Sequence, residues 1–354
     1  MKRGIVLQGG GAKGAYEAGA IRALTQKKIY FDCACGTSIG AINAAFYSCK
    51  KLDAMYKLWL NTDYDEIFGI DCEIISNLTN RNFSREDIKK GIEIVKSIIE
   101  NRGIDTTNMK NFLAHHLKEK TFRRSKIDFA MNTYNLTDRC PVEVFKKDIP
   151  EGKLVEYLMS SAYLPFFKFE KIIDNKYYID GGVYSDCPVD MLIDAGYDEI
   201  YVIKAFKKRI RYKHKKGIKI HIIGPRENLG SIMSFTQEGA KFKMKLGYYD
   251  TLKYLYNLDG NKYYFKNYSE EYYTKLFDKR VYKKIIKEYD KGILPKTDKE
   301  FILRTIEKIC KEFKIERFRI YKLPYLLTRL KNKITNNKES KYYYFIKNIK
   351  IEFE

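Results

Sequence analysis

The chain has no long hydrophobic run and few histidines, and both shortages limit what it can be. None of its apolar stretches approaches eighteen residues, so the sequence predicts no membrane-spanning helix. Only four of its 354 residues are histidines, which leaves few general bases for a conventional serine hydrolase triad. Its seven cysteines are odd in number and show no metal-type pair spacing, which predicts reduced, buried thiols and no metal site.

The composition is that of a globular and strongly basic protein. Hydrophobic residues make up 45% of the chain and charged residues 32%, which excludes a disordered chain. The net charge of +22 indicates either an anionic partner, nucleic acid or membrane phosphate, or a general compositional bias. Lys2 and Arg3 precede an apolar stretch at 5–7, but Gln8 and the glycines behind it interrupt the stretch. We therefore expect no signal peptide and a cytoplasmic location, at most peripheral to a membrane surface.

A glycine-rich turn near the amino terminus is the first informative motif. Residues 5–26 predict a short strand, a turn and an amphipathic helix. Gly9, Gly11 and Gly14 match the dinucleotide-binding pattern G-x-G-x-x-G literally. The dinucleotide-binding fold has an acidic residue at the end of its second strand to hold the ribose, whereas this chain has Ser38 there. An oxidoreductase that binds a dinucleotide is kept as an alternative function.

A second strand–turn–helix unit carries a serine suited to nucleophilic attack. Residues 31–35 predict its strand and residues 39–49 its helix. Ser38 lies between them, with Gly36 and Gly40 two residues away on either side. Glycines permit the tight turn that leaves a serine hydroxyl exposed between a strand and a helix. The glycine turn offers N–H donors and Ser38 a nucleophile, which together indicate acyl transfer.

The four histidines lie in poor positions for activating this serine, whereas one aspartate lies in a good one. A doubly wound sheet assembles its site at the carboxyl ends of its strands. The histidines fall instead on a predicted helix, in a basic run and in mid-strand: His115, His116, His214 and His221. Asp180 follows the short predicted strand 177–179 and is succeeded by two glycines, which expose its carboxylate.

Three motifs in this order resemble the patatin-like phospholipase family, and the resemblance covers residues 3–258. They are GGGAKG at 9–14, GTSIG at 36–40 and DGG at 180–182. The resemblance implies a fold related to the α/β-hydrolases. It also implies a serine hydrolase without a cofactor that cleaves carboxylic esters of lipids or phospholipids through an acyl-enzyme. Such an enzyme would be of phospholipase A, lysophospholipase or acylglycerol lipase type.

The resemblance also assigns roles to the motif residues. It implies Ser38 as the nucleophile and Asp180 as the base that takes its proton. It implies an oxyanion hole made by the backbone N–H groups of Gly10, Gly11 and Ala12. The other motif residues would support these turns: Gly9, Lys13, Gly14, Gly36, Gly40, Gly181 and Gly182. Lys13 would either add to the positive potential there or be a solvated lysine of the first helical turn.

Strands alternating with helices predict a doubly wound, mostly parallel α/β sheet over residues 3–258. Residues 61–102 interrupt this pattern and predict an insertion over the sheet, with a capped helix that ends at 99. Residues 259–354 contain 25 Lys and Arg against 14 Asp and Glu, a net charge of +11. We expect them to form a basic, Lys- and Tyr-rich, mainly helical accessory region.

Two basic segments are candidates for contact with lipid. Residues 207–216 follow a predicted strand, and they form either a solvated loop or a surface for lipid phosphates. The basic residues that would make this contact are Lys207, Lys208, Arg209 and Arg211. Residues 318–330 interleave leucines with basic side chains, for a membrane surface or for packing within an accessory domain. A basic nucleic-acid-binding protein is the other alternative, but no reader motif is present, so we expect a lipid partner.

Overall fold

The computed structural model describes residues 1–289, 297–335 and 340–351. The chain divides into two compact units, Met1–Thr251 and Leu252–Glu354. The assignment of residues 3–258 as the hydrolase domain, and of 259–354 as an accessory region, remains a prediction about function.

The first unit is built on one twisted sheet with the strand order β4-β3-β2-β1-β6-β7. Its strands are β1 (Arg3–Leu7), β2 (Cys33–Thr37), β3 (Asp128–Asn135), β4 (Cys140–Phe145), β5 (Tyr178–Ile179), β6 (Glu199–Ile203) and β7 (Lys219–Ile223). All neighbouring pairs from β3 to β7 in this order are parallel, whereas β4 and β5 pair with β3 antiparallel. The predicted α/β class with a mostly parallel sheet is confirmed.

Helices fill the connections between these strands and cover both faces of the sheet. They are α1 (Gly14–Gln26), α2 (Ile39–Ser48), α3 (Leu52–Asn61), α4 (Tyr64–Phe68), α5 (Cys72–Thr79), α6 (Arg85–Glu100), α7 (Thr107–His116), α8 (Glu119–Arg124), α9 (Leu154–Ser161), α10 (Val189–Asp194) and α11 (Gln237–Tyr256). Every residue of β2 and β6 is buried, as expected for parallel strands covered on both sides. By contrast, Val144 is the one buried residue of the edge strand β4.

Two strands end at other residues than the sequence predicted. The second strand was predicted over 31–35 but runs over Cys33–Thr37, because Ala34 to Gly36 continue the register with β1. The strand predicted to run up to residues 207–216 ends already at Ile203, where β1 also ends. The first difference brings the end of β2 directly up to Ser38.

The second unit is mainly helical and has its own hydrophobic core. It contains β8 (Tyr264–Phe265), α12 (Glu270–Lys275), α13 (Lys279–Tyr289), α14 (Asp298–Glu312), β9 (Ile320–Tyr321), α15 (Leu323–Thr335) and α16 (Tyr343–Asn348). Strands β8 and β9 pair in parallel, a small sheet that the sequence did not predict. The leucines of α15, from Leu323 to Leu330, are buried in this core. Of the two alternatives for residues 318–330, the structure therefore supports packing within the accessory unit.

The described part of the chain contains no helix that is both long and apolar enough to cross a bilayer.

Candidate active site

Ser38 lies in a strained turn between β2 and α2. Its backbone angles are φ +56° and ψ −129°, a conformation that residues with a side chain rarely adopt. Two hydrogen bonds hold the turn in place. The amide of Ser38 donates to the hydroxyl of Ser161 at 2.9 Å, and that hydroxyl donates to the carbonyl of Asn132 at 2.8 Å. Strain of this kind is typical of a nucleophile elbow, where the serine hydroxyl is presented above the sheet.

Strand β3 brings the turn of Ser38 and the turn of Asp180 to the same place. Its first part, Asp128 to Asn132, pairs with β2, while β4 occupies its opposite edge. Beyond the end of β2, the two residues of β5 pair with β3 in the antiparallel direction. The residues that leave β2 and β5 therefore meet on one edge of β3, although the two strands run in opposite directions.

The side chain of Ser38 lies near enough to Asp180 to act on its carboxylate. The side chain of Ser38 and the amide of Gly182, which donates to Oδ1 at 2.7 Å, both stabilise the ionised carboxylate of Asp180. Burial has the larger effect and raises the pKa of Asp180 above its ordinary value. A carboxylate with a raised pKa that contacts a serine hydroxyl is suited to accept its proton.

The glycine turn before α1 offers two amides rather than the three predicted. The amide of Ala12 donates to the carbonyl of Ile232 at 2.8 Å, which removes Ala12 from the predicted set of oxyanion donors. The amide of Gly9 is likewise engaged, with the carbonyl of Asp186 at 2.8 Å. Within the described residues, the amides of Gly10 and Gly11 have no acceptor. These two N–H groups are available for an acyl oxygen.

The other motif glycines allow elements to pack closely around the site. A β-carbon at Gly9 would lie 3.2 Å from Cβ of Ser38, so the glycine turn lies against the elbow. A β-carbon at any of four further positions would overlap neighbouring atoms: Gly14, Gly36, Gly40 and Gly181. At Gly182 it would meet the carboxylate of Asp180 itself. The packing explains why the sequence places glycine at each of these positions.

Lys13 is buried, so it is not the solvated lysine that was one of its two predicted alternatives. Its ammonium group lies 3.8 Å from the centre of the Phe206 ring, and burial lowers its pKa. Phe206 is held in turn because Gln8 accepts hydrogen bonds from the amides of Ala205 and Phe206. The same glutamine donates to Asp186 at 3.1 Å. Gln8 thus ties the glycine turn to the segment that follows β6.

Asn132 is a buried residue of the site that the sequence did not reveal. It is fully buried in the middle of β3, opposite Thr37 at the end of β2, and its side-chain oxygen accepts from the hydroxyl of Thr37. Its amide nitrogen donates to the carbonyls of Gly181 and Ser185, at 3.2 and 2.9 Å. Asn132 therefore joins the elbow to the turn that carries Asp180. Strand β3 also contains the polar residues Thr133 and Asn135, so no signal in the sequence distinguished Asn132.

The predicted basic segment lies only partly at the end of the sheet that carries Ser38. Strand β6 finishes at that end of the sheet, but β7 begins at the other end, since Lys219 pairs with Glu199. The segment between them must cross from one end of the sheet to the other. Lys208 forms an ion pair with Asp186 at 2.7 Å, whereas Lys213 pairs with Asp194 on α10 at 2.6 Å. The other predicted contacts are exposed: Lys207, Arg209 and Arg211.

The histidines are not among the partners of Ser38 or Asp180 in the described part of the chain. His115 and His116 are the last residues of α7. His221 pairs with Glu199 at 2.8 Å, near the end of the sheet where β6 and β7 begin, which is opposite the site. The described residues also contain no group of His, Cys, Asp and Glu side chains that could hold a metal ion.

An apolar cavity of about 80 Å³ is lined in part by Ile39, the residue that follows Ser38. Its walls come from α2, α3, α4 and α7 and from Phe235, and they include Ile42, Phe46, Met55, Trp59, Phe68 and Phe112. The polar Asn43 is held in the cavity wall by two hydrogen bonds. It donates to Glu17 at 2.9 Å and accepts from Trp59 at 3.0 Å. Burial raises the pKa of Glu17 well above its ordinary value, which favours its neutral form beneath the cavity.

Comparison with known proteins agrees with this geometry. The sequence model of the patatin-like phospholipases matches residues 5–193, more than half of the chain. A protein named probable lipid hydrolase 463L, from Invertebrate iridescent virus 6, is 28% identical over 196 residues. That match covers 53% of this chain and 62% of the viral protein, so the chain corresponds to less than two thirds of that relative.

Solved structures with similar folds are more distant. VipD from Legionella pneumophila has a TM-score of 0.43 at 15% identity, over 95% of this chain and 80% of VipD. The type III effector ExoU has a TM-score of 0.36 at 13% identity, over 97% of this chain and 73% of the ExoU chain. Scores this low say nothing about activity, and the family assignment depends on the sequence match. By that match, the chain belongs to the patatin-like phospholipase family.

Proposed function

We propose that the chain is a serine acyl hydrolase that cleaves the carboxylic ester bonds of lipids. The observation that carries the proposal is the nearness of Ser38, in its strained turn, to the half-buried carboxylate of Asp180. Membership of the patatin-like family supports a lipid substrate, as does the name of the viral relative.

The reaction follows from the positions of these groups. Asp180 takes the hydroxyl proton of Ser38 while Oγ attacks the ester carbon, and a tetrahedral oxyanion forms. The free amides of Gly10 and Gly11 stabilise that oxyanion, and each such donor is typically worth about 3 kcal/mol. Collapse expels the alcohol, which takes the proton from Asp180, and leaves an acyl-enzyme. Water then attacks, its proton passes through Asp180 back to Ser38, and the carboxylic acid leaves.

The apolar cavity supplies the acyl-binding part of the proposed site. Ile39 follows the nucleophile directly and lines the cavity, so an acyl group on Ser38 would have an apolar space beside it. Burial of a hydrocarbon chain contributes about 0.8 kcal/mol for each CH₂ group. An aliphatic acyl chain is therefore the substrate part that this cavity fits, whereas the head group would face solvent.

The alternatives receive less support. A dinucleotide pyrophosphate would need the amides at the start of α1, but the amide of Ala12 is occupied by the carbonyl of Ile232. A nucleic-acid-binding function would leave the strained Ser38 and its carboxylate partner without a role.

Substitution of the proposed pair tests the proposal. We expect Ser38→Ala and Asp180→Asn each to abolish hydrolysis of a chromogenic ester, and the double variant to be hardly worse than either single one. A fluorophosphonate probe should label Ser38 and fail to label Ser38→Ala.

Two matched controls make this test specific. Asp194→Asn removes a surface carboxylate that pairs with Lys213, and His221→Gln removes a histidine far from the site; both should keep most activity. A folded Ser38→Ala protein that still hydrolyses the ester would refute the assignment. A folded but inactive His221→Gln variant would instead point to a histidine base.

A further inference from the structure

Helix α6 carries a stripe of aliphatic side chains that the described structure leaves uncovered. Its exposed residues follow the i, i+4, i+7, i+11 spacing of one helix face: Ile88 at 42% exposed, Ile92 and Val95 at 53%, and Ile99 at 71%. Phe83, just before the helix, is 48% exposed. Isolated exposed aliphatic residues are ordinary, but four in register on one helix indicate an interaction surface.

The helix has a separate face that holds it to the protein. Gly91 is buried and packs against Leu78 of α5, and Ile94 and Ile98 are half-buried on the same side. A capping box at Ser84 and Asp87 fixes the start of α6. The exposed stripe is therefore not the packing face of α6, and its apolar character needs another explanation.

The charges around the stripe indicate what it contacts. At 3.6 residues per turn, Arg85, Lys89 and Lys96 occupy the sector beside the stripe, away from the packed face. Among the described residues, none of the three has an ion-pair partner. Glu86, Glu93 and Glu100 lie further round, where Glu86 pairs with Lys90, and the fourth acidic residue, Asp87, lies on the packed face. An apolar stripe bordered by free cations is complementary to an anionic lipid surface, with acyl chains below and phosphates above.

The helix is also connected to the active site through α5. Ser76 of α5 bonds to Ser234 at 2.6 Å, and the side chain of Asn80 accepts from the amide of Ser231 at 3.0 Å. Between these two serines, the carbonyl of Ile232 holds the glycine turn through Ala12. The side chains of α4, at the start of the same insertion, line the acyl cavity. The stripe thus belongs to the segment of chain that borders the proposed site.

We propose that α6 is the membrane-docking element of the protein, with Ile88, Ile92, Val95 and Ile99 seated in the interface of an anionic bilayer. This inference rests on the proposed function, since lipid is taken as the substrate. It assigns the apolar contact to a helix that the sequence did not suggest for this role, and it leaves to the start of residues 207–216 only the electrostatic contact predicted from the sequence.

Binding to vesicles that cannot be hydrolysed tests the docking separately from catalysis. The probe is a vesicle of diether phosphatidylcholine, with and without diether phosphatidylglycerol, and binding is measured by sedimentation. We expect Ile92→Gln/Ile99→Gln to weaken binding at least about tenfold, because two aliphatic side chains no longer enter the interface. Ile222→Gln, a matched change at an exposed isoleucine of β7, should bind like the wild type.

The basic residues give a second, independent readout. Lys89→Gln/Lys96→Gln should lose most of the gain in binding that phosphatidylglycerol gives the wild type, at least about tenfold for the pair. All these variants should hydrolyse a small monomeric ester at the wild-type rate. Glutamine is a good helix former, so α6 should persist in them, which circular dichroism can check.

A third variant keeps the stripe apolar and reports its surroundings. Ile92→Trp should show a shift of fluorescence to shorter wavelength when vesicles are added, against the constant signal of the buried Trp59.

The outcomes separate this inference from the proposed function. A glutamine stripe variant that binds vesicles like the wild type, or an Ile92→Trp variant without a spectral shift, overturns the docking role. So does a wild-type dimer that the stripe variant converts to a monomer, because a second copy would then cover the face. If the wild type binds ether vesicles through the stripe but cleaves no ester, only the proposed function fails.

Discussion

At the scale of single residues, the proposed site combines an aspartate base with a serine whose backbone is strained. In the proposed dyad Asp180 takes the place of a triad's histidine, so the pKa of a carboxyl group would control the first proton transfer. Burial raises that pKa, while the side chain of Ser38 and the amide of Gly182 act in the opposite direction. The balance leaves a stronger base than an exposed aspartate would be.

The pH dependence of catalysis should report this balance. Because Asp180 must be ionised to accept a proton, we expect kcat/KM to rise with pH through its pKa, above the ordinary value of 3.8, and then to level off. Asp194→Asn should keep this profile.

Stability gives the same pKa without catalysis. A raised pKa means that the folded state binds the proton more tightly than the unfolded chain does. The free energy of unfolding of the wild type should therefore fall, relative to that of Asp180→Asn, as pH rises from 3.8 to the folded pKa. A difference between the two proteins that does not change over this window would contradict the raised pKa.

Gly11 is the residue whose replacement should separate catalysis from folding most clearly. Its φ of +54° is left-handed, and a β-carbon there would overlap the carbonyl of Ile232, which holds Ala12. We expect Gly11→Ala to move the free amides and to lower kcat at least about a hundredfold, the effect of losing one oxyanion donor. The variant should still fold, and a thermal melt should show a smaller loss in the free energy of unfolding than the loss of transition-state stabilisation that kcat reports.

The matched control for this change is Gly217→Ala. Gly217 has a φ of +89° and open space around its missing β-carbon, so the variant carries the backbone strain without the collision. It should retain full kcat. If Gly11→Ala also retains it, the glycine turn is not the oxyanion hole.

At the scale of elements, β3 does more to build the site than any motif does. It pairs with β2 and β5 in succession along one edge, and its Asn132 joins the turns of both. The sequence predicted that Asp180 would follow a strand, and it does. The rule about the carboxyl ends of parallel strands does not explain its position, however, because β5 runs antiparallel to β3.

The basic segment after β6 should act in two different parts. Residues near its start lie towards the end of the sheet that carries Ser38, whereas those near its end approach the other end of the sheet. We expect Lys207→Gln/Arg209→Gln to weaken hydrolysis of anionic vesicles at low salt, since each basic residue near such a surface contributes about 1 kcal/mol. Hydrolysis of a small uncharged ester should not change.

Lys215→Gln/Lys216→Gln provides the control within the same segment. It removes equal charge from the far end, so vesicle hydrolysis should stay near the wild-type rate. Equal losses for both double variants would indicate that net charge, rather than position, governs the contact.

At the scale of the whole molecule, local motifs predicted the turns and the fold class, whereas apolar periodicity did not predict which helix faces are exposed. The strand–turn–helix units around Gly11 and Ser38 are local, so their spacing predicted both turns and the α/β class. The engagement of Ala12 by Ile232 joins residues far apart in sequence, and no local pattern carries it. Apolar periodicity also cannot tell a buried stripe from an exposed one. The leucines of α15 are buried, whereas the stripe of α6 from Ile88 to Ile99 is exposed, although both helices are amphipathic in sequence.

The two-residue strand β5 has a consequence for how activity arises during synthesis and refolding. Ser38 is translated early, but Asp180 follows only after β3, and β5 needs a finished β3 to pair with. On the dyad assignment, a chain that stops short of Asp180 holds a serine without its base, however well the first strands have formed. On the same assignment, hydrolysis cannot begin until β5 has paired with β3 and brought Asp180 to Ser38.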